Sequence, residues 1–200
     1  MKDKLDFLSE LGNIGASYAT TALSKMLHDA KLKLTVPQSR LLSFNEAANY
    51  IPDPEAVVVC VYMRMVEGFE ANIAFILPLN SAVALAEYLT SEKSDHLSEL
   101  GLSALLEVGN IMLSSYLTAL SMLSGAKLTP TVPGIAVDMN GAIWESILAD
   151  AGITDFVTVL ETHFSTDNME LSGNLFFIPD HDLYDFLSQK VSGFLLEENT

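Results

Sequence analysis

Two glutamate–asparagine pairs, Glu10 with Asn13 and Glu107 with Asn110, set an acid three residues before an amide. At i, i+3 on a helix, both side chains share one face, one turn apart. A carboxylate placed there can grip a lysine or arginine of a visiting molecule. The carboxamide beside it offers a donor and an acceptor together, enough to hold a water and aim it. Such a pair positions reactants and supplies no nucleophile. The competing reading is a solvated helix face whose asparagine bonds locally to backbone.

The pairs sit in a repeated segment. Residues 5–24, LDFLSELGNIGASYATTALS, and 102–121, LSALLEVGNIMLSSYLTALS, keep one offset (102 − 5 = 97) and share eleven of twenty residues. Wound at about 100° per residue, Asp6, Glu10, Asn13, Ser17 and Ser24 form one stripe. Ser103, Glu107, Asn110, Ser114 and Ser121 repeat it, and leucines with small residues supply the packing side in both copies. A duplicated fold accounts for repeated leucines but not, by itself, for a repeated acid–amide pair. Gly12, Gly15 and Gly109 lie beside the pairs. Glycine inside a helix costs about 0.5–1 kcal/mol relative to alanine, so these positions serve close helix packing or close approach of a partner's backbone.

The elements that carry the stripes also repeat. KLKLTVP ends at Pro37 and AKLTPTVP at Pro133. SRLLSF and GIAVDMN then read as strands, and NEAANYI and GAIWESILADAG as short helices. EAVVVCVYMRM with GFEANIAFILP, and ITDFVTVLETHF with ELSGNLFFIP, read as strand pairs, with Asn72/Asn174 and Pro78/Pro179 in matching places. SAVALAEYL and DLYDFLSQKV close the halves as helices, and the polar stretch 91–99 joins them. The apolar, β-branched runs VVVCV and FVTVL predict central strands covered on at least one face. The expected architecture is α+β and internally duplicated, with a shared central β-sheet, paired site helices and pseudo-two-fold symmetry. It is expected to form one domain over 1–200, with repeat one near 1–92 and repeat two near 98–196.

The 200 residues carry a net charge of −16, which disfavours nucleic-acid backbones and anionic membrane surfaces. No uninterrupted apolar run reaches the ~18–20 residues that span a bilayer, and the acidic N-terminus lacks a signal-peptide pattern, so the chain is expected to be cytoplasmic. Cys60, the single cysteine, lies in an apolar run and reads as a buried small hydrophobe. His28, His96, His163 and His181 lack metal-ligand spacing, and Asp180 and Asp182 read as a helix cap. No metal site on this chain is expected, and no phosphate-binding loop, dinucleotide fingerprint or serine-hydrolase motif is present.

Glu-x-x-Asn in a GNI context, with Asp or Ser four residues before the Glu and a proline some 22 residues after the Asn, resembles the signature of CheC-type chemotaxis phosphatases. The matching residues are Asp6, Glu10, Asn13 and Pro37, then Ser103, Glu107, Asn110 and Pro133. Two copies make the chain similar to the two-site form within the CheC/CheX/FliY family. The first copy departs at Ser17-Tyr18, where a smaller residue and an Asn are expected, and has one extra residue before Pro37. The resemblance implies hydrolysis of the phospho-aspartate of a CheY-like response regulator. Glu10 and Glu107 would pair with the regulator's lysine, and Asn13 and Asn110 would align water at the acyl phosphate. Asp6, Ser17, Ser103 and Ser114 would line the dock, and Mg²⁺ would belong to the regulator, with no cofactor bound by this chain. It also implies a CheD-type receptor deamidase as a possible second partner, with Trp144 either an exposed anchor for it or a core residue. A non-catalytic adaptor for a deamidase or a regulator is the alternative, and a flagellar-switch relative, a type that usually brings extra segments, is a third reading.

Overall fold

The computed structural model describes residues 2–27, 32–34, 38–93, 96–150, 156–166, 171–187 and 189. Pro37 and His28 lie outside the described residues. In chain order the elements are α1 (Lys2–Met26), β1 (Leu32–Leu34), β2 (Gln38–Ser43), α2 (Phe44–Ala48), β3 (Val57–Gly68), β4 (Ala71–Pro78) and α3 (Leu79–Thr90). The second half repeats them as α4 (Glu99–Ser124), β5 (Leu128–Pro130), β6 (Gly134–Met139), α5 (Asn140–Asp150), β7 (Phe156–Thr166) and β8 (Ser172–Pro179), followed by helical residues 181–187.

All eight strands form one antiparallel sheet in the order β1-β7-β8-β4-β3-β5, with β2 also on β7 and β6 also on β3. β4 and β8 meet at the centre, where Asn72 opposes Ile178 and Ile76 opposes Asn174. That reciprocal register is the pseudo-two-fold expected from the repeat. The halves also exchange parts. β1 and β2 of the first half complete the edge of β7, while β5 and β6 of the second complete the edge of β3. The long helices cross over too: α1 packs on β7, and α4 packs on β3.

Alternation along the central strands builds two cores, because successive side chains point to opposite faces. Val59, Val61, Met63, Phe75, Leu77 and Phe177 face α1, α3 and α4. Val58, Cys60, Ala74, Ile76, Phe176 and Ile178 face α2 and α5. A strand buried on both faces needs apolar residues at every position, which is why the sequence reads VVCV over 58–61 and IAFIL over 73–77. Each fully buried valine, leucine or phenylalanine contributes about 1.5–3 kcal/mol.

Trp144 belongs to the second core. Its ring is fully buried between those of Tyr50 and Phe176, and its Nε1 donates to the Ala47 carbonyl at 2.5 Å. The expectation of an exposed docking anchor is therefore overturned: the indole stitches α5 to α2 and presents nothing to solvent. Asp180 does act as a cap, its Oδ1 accepting from the Leu183 N–H at 2.7 Å.

Caps fix the helices along their axes. The Ser98 hydroxyl accepts from the Gly101 N–H at 3.0 Å at the start of α4. Gly125, at φ 71, ends α4 and donates its N–H to Ser121, as left-handed C-caps do. Ser43 and Glu46 form a capping box on α2. By length and hydropathy α4 resembles a membrane-crossing helix, but Leu105, Val108, Leu113 and Leu117 are buried in the first core.

Two glycines decide how closely the long helices approach. A Cβ on Gly109 would lie 2.5 Å from carbons of Val61 on β3, and one on Gly15 would lie 2.8 Å from the buried Tyr116 ring of α4. These glycines therefore serve internal packing. Gly109→Ala is expected to destabilise the protein by about 1–2 kcal/mol, overpacking of about 1–3 kcal/mol outweighing the helix-propensity gain of under about 1. Guanidinium unfolding measures it, and unchanged or increased stability would refute the close-approach role.

Candidate active site

The inward faces of α1 and α4 are spent on the core, through Ala16, Ala19 and Leu23 on one and Leu105, Met112 and Tyr116 on the other. The two helices also pack along each other. What remains faces outward. Glu10 and Glu107 are exposed, and Asn13 and Asn110 are half-buried one turn further along. Ser103 and Ser17 are exposed and Ser114 is half-buried. Asp6 lies in α1, but its side chain lies outside the described part. Both acid–amide pairs thus stand on matched outward ridges.

Local bonds set the polarity of each ridge. Asn110 Oδ1 accepts from the Ser114 hydroxyl at 3.4 Å, a long contact that steers the amide without locking it. Thr21 donates to the Ser17 carbonyl and Thr118 to the Ser114 carbonyl, both at 2.7 Å. The repeated threonines thus spend their hydroxyl protons on their own helix. Ser121, counted in the stripe, donates to the Ala126 carbonyl and belongs to the α4 C-cap. Among the described residues, neither Glu10 nor Glu107 has an ion-pair partner. Each carboxylate stands exposed, where an incoming cation can reach it.

The ridges carry no nucleophile–base couple. Cys60 is buried beneath α5's side of the sheet, and desolvation pushes its thiol up to about 12, far from a reactive thiolate. His96 and His181 are exposed and lie outside the ridge helices, His96 just ahead of the Ser98 cap of α4. Among the described residues, no three His, Cys, Asp or Glu side chains converge on a possible metal position. What the ridges can do is hold a cation with a carboxylate and orient a small polar molecule with an amide.

A second polar group, unforeseen in the sequence, lies on the opposite side of the sheet. Asn174 Nδ2 donates to Glu161 at 3.0 Å, Tyr50 donates its hydroxyl to the other oxygen of Glu161, and His163 Nδ1 meets Asn174 Oδ1 at 2.8 Å. With Asn174 Nδ2 committed to Glu161, that His163 nitrogen is the donor. Burial and the Glu161 contact raise the Tyr50 hydroxyl well above its ordinary value. The one signal available in advance was the pairing of Asn174 with Asn72 in the two strand pairs.

Residues 4–39 and 100–137, which contain both acid–amide pairs, match the model of the CheC-like family. The CheY-P phosphatase CheC of Bacillus subtilis (strain 168) is 31% identical over 194 residues, spanning 93% of this chain and 92% of that protein. The chain belongs to the CheC family. The crystal structure of Thermotoga maritima FliY superposes with a TM-score of 0.73 at 21% identity, over 96% of this chain and 98% of that one. CheX in the CheX–CheY–BeF₃–Mg²⁺ complex from Borrelia burgdorferi shares the fold, with a TM-score of 0.55 at 17% identity over 84% and 96% of the two chains. The family model covers α1 with β1 and the start of β2, and α4 with β5 and most of β6, so it spans both ridge helices.

Burial and thiol chemistry give a direct check on the exclusion of Cys60. The native protein is expected to leave Cys60 unlabelled by iodoacetamide at pH 8, with labelling only after denaturation. Rapid labelling accompanied by loss of activity would return the thiol to consideration.

Proposed function

We propose that the chain hydrolyses the phospho-aspartate of a CheY-like response regulator in chemotaxis signalling, acting in the cytoplasm. The observation that carries this reading is the pair of outward ridges, each with an exposed carboxylate that has no ion-pair partner among the described residues, one turn from a half-buried amide. The Bacillus subtilis relative named a CheY-P phosphatase supports it, as does the similar fold found with CheY, BeF₃ and Mg²⁺.

In this mechanism Glu10 or Glu107 pairs with the regulator's lysine and fixes the dock. Asn13 or Asn110 reaches the acyl phosphate and holds a water opposite the leaving carboxylate. Attack forms the new P–O bond as the bond to the aspartate breaks, giving inorganic phosphate and a free carboxylate. Mg²⁺ on the regulator spreads the phosphoryl charge, so this chain needs no cofactor of its own. The contribution of each ridge is orientation of water and regulator, a source worth several kcal/mol of barrier when the geometry is right. Half-burial suits the amide: it is shielded enough to be held in place, and open enough to meet a docked partner.

The adaptor reading, in which the fold only binds a CheD-type deamidase or a regulator, shares the docking surface but not the chemistry. Burial of Trp144 removes the aromatic anchor on which deamidase docking at α5 was argued.

Asn13→Ala combined with Asn110→Ala is expected to reduce stimulated phosphate release by at least about 100-fold, the scale of losing one oriented hydrogen-bonding group. The assay uses a CheY-type regulator charged with acetyl phosphate, with circular dichroism to confirm folding. Full activity in the folded double variant would reject the mechanism, and regulator binding without faster phosphate loss in the unaltered protein would establish the adaptor.

A further inference from the structure

The ridges match at the acid–amide pair and diverge immediately beside it. One and a half turns beyond Asn13 stands Tyr18, 51% exposed, while the equivalent Ser115 is half-buried. Further along, exposed Lys25 is replaced by Met122, which is 73% exposed. On helical geometry, Tyr18 is about 80° round from Glu10 and Lys25 about 60°, so both belong to the outward sector. Rises of about 1.5 Å per residue put Tyr18 roughly 7–8 Å and Lys25 roughly 18 Å beyond Asn13 along the helix axis, both on the other flank of Glu10 from the amide. A partner covering about 800 Å², a patch roughly 30 Å across, spans the first position and meets the second at its rim.

From these differences we infer that the two ridges select different regulator surfaces, with Tyr18/Ser115 and Lys25/Met122 as the specificity-determining positions. This rests on the phosphatase reading above and deepens it. A tyrosine ring standing clear of the helix must enter a recess on the partner or clash with a flat face. A serine there admits a flush surface. At the rim, a cation favours an acidic neighbour and makes association depend on salt, since rim charges act mainly on the rate of encounter. An exposed methionine favours an apolar, adaptable contact that salt leaves alone. Ridge one therefore fits a regulator with a recess and an acidic rim, and ridge two fits one with a flush face and an apolar rim. The inner positions, which seat both helices on the shared sheet, do not enter the discrimination.

Single-ridge enzymes test this. Asn110→Ala leaves ridge one working and Asn13→Ala leaves ridge two. With one CheY-type regulator charged by acetyl phosphate, the two enzymes are expected to differ in KM by about fivefold or more, the scale of one well-packed interface side chain. Tyr18→Ser in the first is expected to move its KM toward that of ridge two, and Ser115→Tyr in the second to move it toward ridge one, with kcat changed by less than about twofold in both cases. Lys25→Met is expected to flatten the salt dependence of kcat/KM at ridge one, and Met122→Lys to introduce one at ridge two. Equal KM values and equal salt slopes, unmoved by the exchanges, would overturn the inference while leaving the phosphatase reading intact. If neither single-ridge enzyme exceeds the regulator's own rate of phosphate loss, both fail together.

Discussion

The structure depends on how closely α1 and α4 can lie against the sheet and against each other. Gly109 lets α4 down onto Val61, and Gly15 admits the Tyr116 ring at the helix crossing. Once the helices are that close, their apolar sides are consumed and their rotation is set. A rotation that moved Glu10 or Glu107 inward would bury an unpaired carboxylate, which costs several kcal/mol at least. It would also expose the residues that fill the first core. The outward presentation of the two acid–amide pairs is thus a consequence of packing, and the ridges need no further device to aim them.

Much of this was legible in the chain because the signals were redundant. The 97-residue offset exposed the duplication, period-3.6 patterning separated stripe from packing face, and continuous β-branched runs marked strands covered on at least one face. The exchange of edge strands was not legible. A short strand such as LTP carries no record of which neighbour it joins, and β5 pairs with β3 of the other half. Trp144 illustrates a different limit. A short amphipathic helix does not reveal which of its sides meets the sheet, and the Ala47 carbonyl that accepts the indole N–H, shared with the Tyr50 N–H, lies 97 residues away. The roles of the glycines were left open by composition and decided by the distances to Val61 and Tyr116.

Charge deepens the demands on a partner. With a net charge of −16, the molecule repels another acidic protein at long range. At physiological ionic strength the Debye length is about 8 Å, so this repulsion fades and only groups near the contact decide its sign. Within that distance Glu10 and Glu107 need a cation opposite them, because a desolvated carboxylate without one is strongly penalised. An exposed glutamate is cheap in the free protein and demanding in the complex, which suits a contact that must be specific and brief.

Strand exchange also separates what can vary from what cannot. α1 stands on β7 and α4 on β3, so each ridge is seated on strands contributed by the opposite half. A change at an inward position of one half therefore disturbs the seat of the other, and size changes must be matched across the crossing. Gly15 opposite Tyr116 is one such match, and the equivalent positions, Met112 and Ala19, place the larger residue on the same helix. The outward positions face no such constraint. Tyr18 and Ser115, and likewise Lys25 and Met122, belong to neither core. Duplication has thus left two seats held alike by packing and two outer faces free to differ, and the divergence between the copies beyond the acid–amide pair falls where the fold does not resist it.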